Sequence, residues 1–177
     1  FRSKSAFVYD ASGKAGTIVL AAPSKGRVTI RVHGVTAHAG NEPEKGLNAL
    51  KVAADLIMQL PDGRLSPVST ANFSIIEAGS ATNVVCDLVT ITGEQRSRDA
   101  KEYQQISADI QAAADRISEK YHTKIEVELH TLYHAFKLEE TARPCVLAKE
   151  AAEAVCAVPF FKEGGGGMDA NHFNEHG

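Results

Sequence analysis

The sequence predicts an α+β fold, a ferredoxin-like split βαβ sandwich in which a four-stranded antiparallel sheet carries two helices on one face. Three observations predict it. Val28, Ile30 and Val32 alternate with polar residues, as do Ile125, Val127 and Leu129, and a period of two marks a strand with one buried face. Two segments between them instead repeat apolar residues every three or four positions, the period of an amphipathic helix. From Lys25 to His134 the order reads strand, helix, strand, strand, helix, strand, which is the split βαβ arrangement.

Residues 1–24 hold two apolar runs, Ala6-Phe7-Val8-Tyr9 and residues 17–22, separated by a Gly- and Ser-rich stretch; this predicts strand, turn, strand, closed by Pro23-Ser24. After the strand around Val28 comes a polar loop with Gly34, Gly40 and Pro43. Leu47, Leu50, Ala54 and Ile57 then form the stripe of a first helix, stopped at Pro61-Asp62-Gly63. Residues 71–76 and 84–92 are rich in β-formers and predict neighbouring antiparallel strands. Asp99 opens a second helix with Tyr103, Ile106, Ile110, Ala113, Ile117 and Tyr121 on one stripe; acids lie early and Lys120 late, as the helix dipole favours. The strand around Val127 closes the sandwich. A third, Ala-rich helix is expected at about residues 143–157, outside the repeat. One face of such a sheet lacks a helix layer, so a neighbour is expected to cover a face or an edge.

Composition narrows function. The chain has 177 residues, 44% apolar and 23% charged, with 19 basic and 22 acidic residues interspersed and a net charge of −3. No basic stripe exists to neutralise phosphates, so no nucleic-acid partner is expected. The longest nearly apolar stretch, residues 17–23, is far shorter than the roughly 20 residues that span a bilayer, so no membrane partner is expected and a cytoplasmic protein is. Cys86, Cys145 and Cys156 are odd in number and lack CxxC spacing, which argues against disulfides or a zinc knot and predicts small buried thiols. The chain opens at Phe1 without Met and stops at His176-Gly177, and reads as a fragment.

Chemistry could reside in a few places. Gly164 to Gly167 could present N–H groups to an anion, but neither they nor Ser12-Gly13-Lys14-Ala15 supply the Gly-Lys-Ser/Thr of a nucleotide loop. A flexible linker is the plain reading of these glycines, set against the dense polar sequel Asp169, Asn171, His172 and Asn174, which a linker does not require. His38 sits among small residues on a strand-to-helix loop, where an imidazole is accessible. Asn83 precedes the third strand and Arg96 follows it. An amide can donate to a developing oxyanion and a guanidinium can grip a carboxylate at two points, though a turn Asn and a surface Arg are the more ordinary reading of each alone. There is no HExxH and no Cys/His pair at zinc spacing, and the seven His are scattered.

Taken together, Gly34-Val-Thr-Ala-His38-Ala-Gly-Asn-Glu-Pro43-Glu-Lys-Gly46, then Ala71-Asn72-Phe73, Gly79-Ser-Ala-Thr-Asn83-Val-Val and Gly93-Glu-Gln-Arg96-Ser97, resemble the lid, or dimerisation, domain of the co-catalytic di-zinc exopeptidases. The resemblance is strongest to the peptidase T-like, tripeptide aminopeptidase branch. Ala6-Phe-Val-Tyr-Asp10 resembles a strand ending in a zinc carboxylate, and Gly165-Gly-Gly-Met-Asp169-Ala-Asn171 a Gly-Gly-Ser-Asp-Ala-Asn segment of the catalytic domain. The resemblance implies a division into residues 1–24 and 135–177, fragments of an α/β zinc-peptidase domain, around a lid at 25–134.

It also implies roles. His38 would be the lid histidine that enters the partner subunit's site in a homodimer and stabilises the oxyanion. Asn83 would bind substrate, Arg96 would hold the peptide's C-terminal carboxylate, and Asp10 would be a terminal ligand of one of two zinc ions. Asn171 would line the substrate site; Asp169 and His172 receive no role. Met168 and Cys86 stand where the family commonly has Ser and Pro. The remaining ligands of the two zincs are not among these residues, so the expectation is a zinc-dependent aminopeptidase acting on short peptides in the full-length parent, with this chain alone inactive and binding zinc weakly or not at all. The alternatives are a stand-alone ferredoxin-like ligand-binding or regulatory module, or a related aminoacylase, dipeptidase or carboxypeptidase.

Overall fold

A computed structural model of the chain describes residues 4–176. The first regular element is β1 (Thr17–Ala22), and after the single residue Pro23 the chain enters β2 (Ser24–His33). A loop with one 3₁₀ turn at Pro43–Lys45 leads to α1 (Ala49–Ile57); then come β3 (Gly63–Ser66), β4 (Ser69–Ala78), β5 (Leu88–Ser97), α2 (Ala100–Tyr121) and β6 (Ile125–Tyr133). Two residues later the chain forms β7 (Phe136–Lys137), followed by α3 (Arg143–Ala154), β8 (Phe160–Glu163) and α4 (Asp169–His176).

The elements form two sheets. The larger has the order β3-β4-β5-β2-β6, antiparallel throughout. Without the short β3 this is the four-stranded split βαβ sandwich expected from sequence. Alternation along β2 and β5 sends Val28, Ile30, Val32, Val89 and Ile91 to one face, where α1 and α2 cover them, and all five are fully buried. Each such aliphatic contributes about 1.5–3 kcal/mol by leaving water. Ile106, Ile110, Ala113 and Ile117 of α2 close the core on the stripe expected from sequence. Asp99 caps α2, its carboxylate accepting from the N–H groups of Lys101 at 2.8 Å and Glu102 at 2.9 Å.

The smaller sheet has the order β7-β1-β8. β1 runs antiparallel to β7 and parallel to β8, and α3 packs on β1. Its buried residues are few (Ala21, Ala22, Cys145 and Ala152), while Val155, Val158 and Phe160 are 74%, 81% and 61% exposed. The chain crosses between the two sheets at Pro23 and at residues 134–135.

The structure corrects several local expectations. Ala6 to Tyr9 is irregular, because no strand among the described residues is placed to receive its backbone. The stripe of α1 is rotated: Ala49, Val52, Ala53 and Leu56 face the core, whereas Leu50 and Ala54 are exposed. Asn48 caps α1 by accepting from Leu50 N–H, which leaves Leu47 outside the helix. β5 starts at Leu88 rather than near Val84, because the backbone of residues 84–86 is taken up by the loop around His38 and by the start of α1. Cys86 and Cys145 are buried free thiols, but Cys156 is exposed beyond α3. Burial, and then the charge of Glu140, pushes the Cys145 thiol above its ordinary value. The third helix is three residues shorter than expected, and β3, β7, β8 and α4 add to the expected elements: each is too short for either periodicity to stand out.

Candidate functional site

The loop after β2 is built for close approach. At Gly34 an added Cβ would lie 2.2 Å from the Leu47 carbonyl oxygen and 3.0 Å from that of Cys86, so only glycine lets the three segments meet. Val35 and Leu47 then exchange backbone hydrogen bonds at 2.9 and 3.0 Å. From that anchor the loop pairs with the segment before β5. Ala39 N–H donates to the Asn83 carbonyl at 3.0 Å, Val85 N–H donates to the Ala37 carbonyl at 2.9 Å, and His38 stands opposite Val84. His38 and Asn83, 45 positions apart in sequence, thus share one platform, and both side chains are exposed.

The platform also orients the imidazole. Gly40 N–H donates to His38 Nδ1 at 3.2 Å. An accepting Nδ1 leaves the proton of the neutral ring on Nε2, which makes Nε2 an outward hydrogen-bond donor. The carbonyl of His38 accepts from Asn41 and Glu42 N–H at 3.2 and 3.1 Å, so the backbone that carries the ring is held on both sides.

Arg96 lies at the other end of β5, on the sheet face that the helices leave open. Its Nε donates to Glu94 Oε1 at 2.7 Å, and its Nη1 reaches the Gly165 carbonyl at 3.5 Å, leaving Nη2 without a protein partner among the described residues. Glu94 raises the affinity of Arg96 for its proton, and Arg96, then Lys25, holds the Glu94 carboxyl below its ordinary value. Arg98 binds the same glycine segment, with Nη1 donating to the Gly164 carbonyl at 3.2 Å and Nη2 lying 3.1 Å from Glu163 Oε2. These arginine contacts to Gly164 and Gly165 were not legible in the sequence, since nothing local links the end of β5 to a segment over sixty residues away.

Eight residue steps of about 3.3 Å put Arg96 roughly 26 Å along β5 from Leu88, the end of the strand that the His38–Asn83 loop pair adjoins. The structure brings His38 and Asn83 together and does not bring Arg96 to them.

Asp10 is exposed in an irregular segment. Among the described residues no group of three or more His, Cys, Asp or Glu side chains gathers to hold a metal. A zinc ion takes about four ligands, so the donors present do not fit a two-zinc centre. Asn171, expected to line the substrate site, is 1% exposed and its carboxamide is spent within the protein. Nδ2 donates to the carbonyls of Pro23 at 3.1 Å and His134 at 2.7 Å, and Oδ1 accepts from Met168 N–H at 3.0 Å. Asp169 is exposed at the start of α4, and the His172 ring meets the Tyr133 ring edge-on at 5.9 Å.

Comparison with known families decides what this arrangement belongs to. Residues 23–122, the stretch that holds the platform, both helices and Arg96, match the model of the peptidase dimerisation domain, M20_dimer. The chain belongs to this M20 peptidase family. It is 36% identical over 97% of its length to the uncharacterised protein YqjE of Bacillus subtilis. Its fold superposes on aminopeptidase PepT from Bacillus cereus with a TM-score of 0.85 at 38% identity over 95% of the chain, and on a tripeptidase from Staphylococcus aureus with 0.88 at 29% over 94%. The chain spans 46%, 45% and 44% of these three proteins, somewhat under half of each. Its M20 relatives are hydrolases. No helix among the described residues is long and apolar enough to cross a membrane.

Proposed function

We propose that this chain is the lid, with flanking pieces of the catalytic domain, of a zinc-dependent M20 aminopeptidase that removes the N-terminal residue of short peptides, tripeptides among them. The likeness to an aminopeptidase and a tripeptidase supports the substrate class. The observation that carries the reading is the pairing of an outward Nε2 donor on His38 with the exposed Asn83 amide on one rigid platform, and a guanidinium with an uncommitted Nη2 on the same domain. His38 would donate to the oxyanion as the peptide carbonyl becomes tetrahedral, Asn83 would hold the substrate, and Arg96 would hold the terminal carboxylate. Zinc would be supplied largely by residues outside this chain, with Asp10 as one carboxylate. The exposed apolar flank of the small sheet, Val155, Val158 and Phe160, supports reading residues 1–24 and 135–177 as parts of a larger domain and 25–134 as the lid.

The separation of the two site elements favours a homodimer. A tripeptide extends about 10 Å, less than half the distance from the platform to Arg96, so one substrate touches both only when they come from different subunits. β4 offers an edge for such pairing. β3 covers it only as far as Ala71, and Ile75 and Ile76 beyond are 53% and 52% exposed, whereas the opposite edge strand β6 carries Glu126, Glu128 and His130. The enzyme would work in the cytoplasm.

Arg96→Ala in the full-length enzyme should raise KM for peptides with a free C-terminal carboxylate by about 10- to 100-fold, the loss of one charge-assisted hydrogen bond or a pair of them. Peptides amidated at the C-terminus should show no such change. An equal effect on both overturns the clamp. Zinc titrated calorimetrically into the 177-residue chain should show no tight stoichiometric binding, and a tight isotherm saturating at whole-number stoichiometry would refute the assignment of the metal to residues elsewhere.

A further inference from the structure

The chain passes between its two sheets twice, at Pro23 and at residues 134–135, and both crossings converge on one buried side chain. We propose that Asn171 is a hinge clamp: a single carboxamide that ties both crossings to the glycine segment and so sets the angle between the two sheets.

The geometry points to this in three ways. Asn171 donates one hydrogen to each crossing, to the carbonyls of Pro23 and His134, which lie 111 positions apart in sequence. Its oxygen takes the Met168 N–H, which fixes the residue directly after the glycines. Asn171 is 1% exposed and its bond to the Pro23 carbonyl is buried, the other two being part-buried, so loss of the amide leaves at least the Pro23 carbonyl without a partner away from water. Neighbouring contacts brace the same point. Ala135 N–H donates to Ser24 Oγ at 2.8 Å, linking the crossings directly, and Gly164 N–H donates to the Ala21 carbonyl at 2.7 Å. At Gly167 a Cβ would lie 2.1 Å from the Tyr133 hydroxyl and 2.2 Å from its ring, so the last residue of β6 rests on a bare backbone there.

Only an amide suits the position. It must present two donors in diverging directions and one acceptor on the opposite side, which a carboxylate of the same shape cannot do: the Asn171→Asp substitution would set negative oxygens against two carbonyls. Asn171 lies outside the cluster formed by the large sheet and its helices, so the clamp governs how the sheets are disposed rather than whether the sandwich folds. Because Arg96 and Arg98 hold Gly164 and Gly165, the hinge angle also sets where Arg96 stands relative to the catalytic-domain segment.

The test uses the 177-residue chain. Nitroxide labels go on native Cys156, exposed beyond α3, and on Met58→Cys, exposed beyond α1, and their separation is read by pulsed dipolar spectroscopy. Asn171→Ala and Asn171→Asp should each broaden a single narrow distance distribution. Amide exchange at Ala135 and Met168 should quicken by about 10-fold or more, while Ile30 and Ile91 in the central ladder keep their protection. Gly167→Ala, which displaces Tyr133, should broaden the same distribution. An unchanged separation in Asn171→Asp overturns the proposal, and so does loss of protection at Ile30 and Ile91 together with Ala135, which would make the residue a determinant of global stability. No step measures catalysis, so failure here leaves the peptidase reading standing, and failure of that reading leaves the clamp standing.

Discussion

Mixing two impaired variants of the full-length enzyme, His38→Ala and Arg96→Ala, is expected to restore activity toward a tripeptide with a free C-terminal carboxylate held well below KM. Each homodimer lacks one element in both of its sites. In a heterodimer, one site combines the intact Arg96 of one subunit with the intact His38 of the other, and the second site lacks both. Random exchange makes half of the dimers hybrid, so activity should recover to about a quarter of the wild-type value. The expectation follows from geometry, since roughly 26 Å along β5 separates Arg96 from the strand end that the platform adjoins, and a tripeptide covers about 10 Å. Activity that stays at the level of the separate variants, after mass spectrometry has verified subunit exchange, would show that the site is built within one chain.

His38→Ala alone should lower kcat by about 100- to 1,000-fold, the usual consequence of removing one donor to a developing oxyanion. KM should change little, because a donor aimed at the tetrahedral state contributes little to the ground-state complex. The melting temperature should stay within a degree or two, since the ring is exposed and its one described side-chain hydrogen bond, from Gly40 N–H, is solvent-facing. His38→Gln separates two roles. Its amide can donate but cannot exchange a proton near neutral pH, so recovery of kcat in that variant assigns hydrogen bonding rather than proton transfer. Wild-type turnover in His38→Ala would remove the residue from the mechanism.

The sandwich was legible because its core obeys local periodicities. Val28, Ile30 and Val32 are buried where alternation says they should be, and Ile106, Ile110, Ala113 and Ile117 are buried on the stripe of α2. Where two stripes compete the sequence is ambiguous. In α1 both Leu50/Ala54/Ile57 and Val52/Ala53/Leu56 have helical spacing, and tertiary packing buries the second. The segment at 84–86 has the composition of a strand but spends its hydrogen bonds on the His38 loop and the start of α1. Cys156 is exposed in the turn just beyond the end of α3, where the helical stripe no longer applies.

The sequence alone determined which residues could do chemistry: an imidazole among small residues, an amide before a strand, a guanidinium after it, and an aspartate and an asparagine in flanking segments. Side-chain type and local period decide those matters, and both are read along the chain. What only the tertiary structure decided is which of them meet. Hydrogen bonds between segments 45 positions apart place His38 beside Asn83, the length of β5 holds Arg96 away from both, and two carbonyls 111 positions apart take up both hydrogens of the Asn171 amide. Such contacts depend on loop closure and on burying every polar group with a partner, and no window of sequence contains both partners.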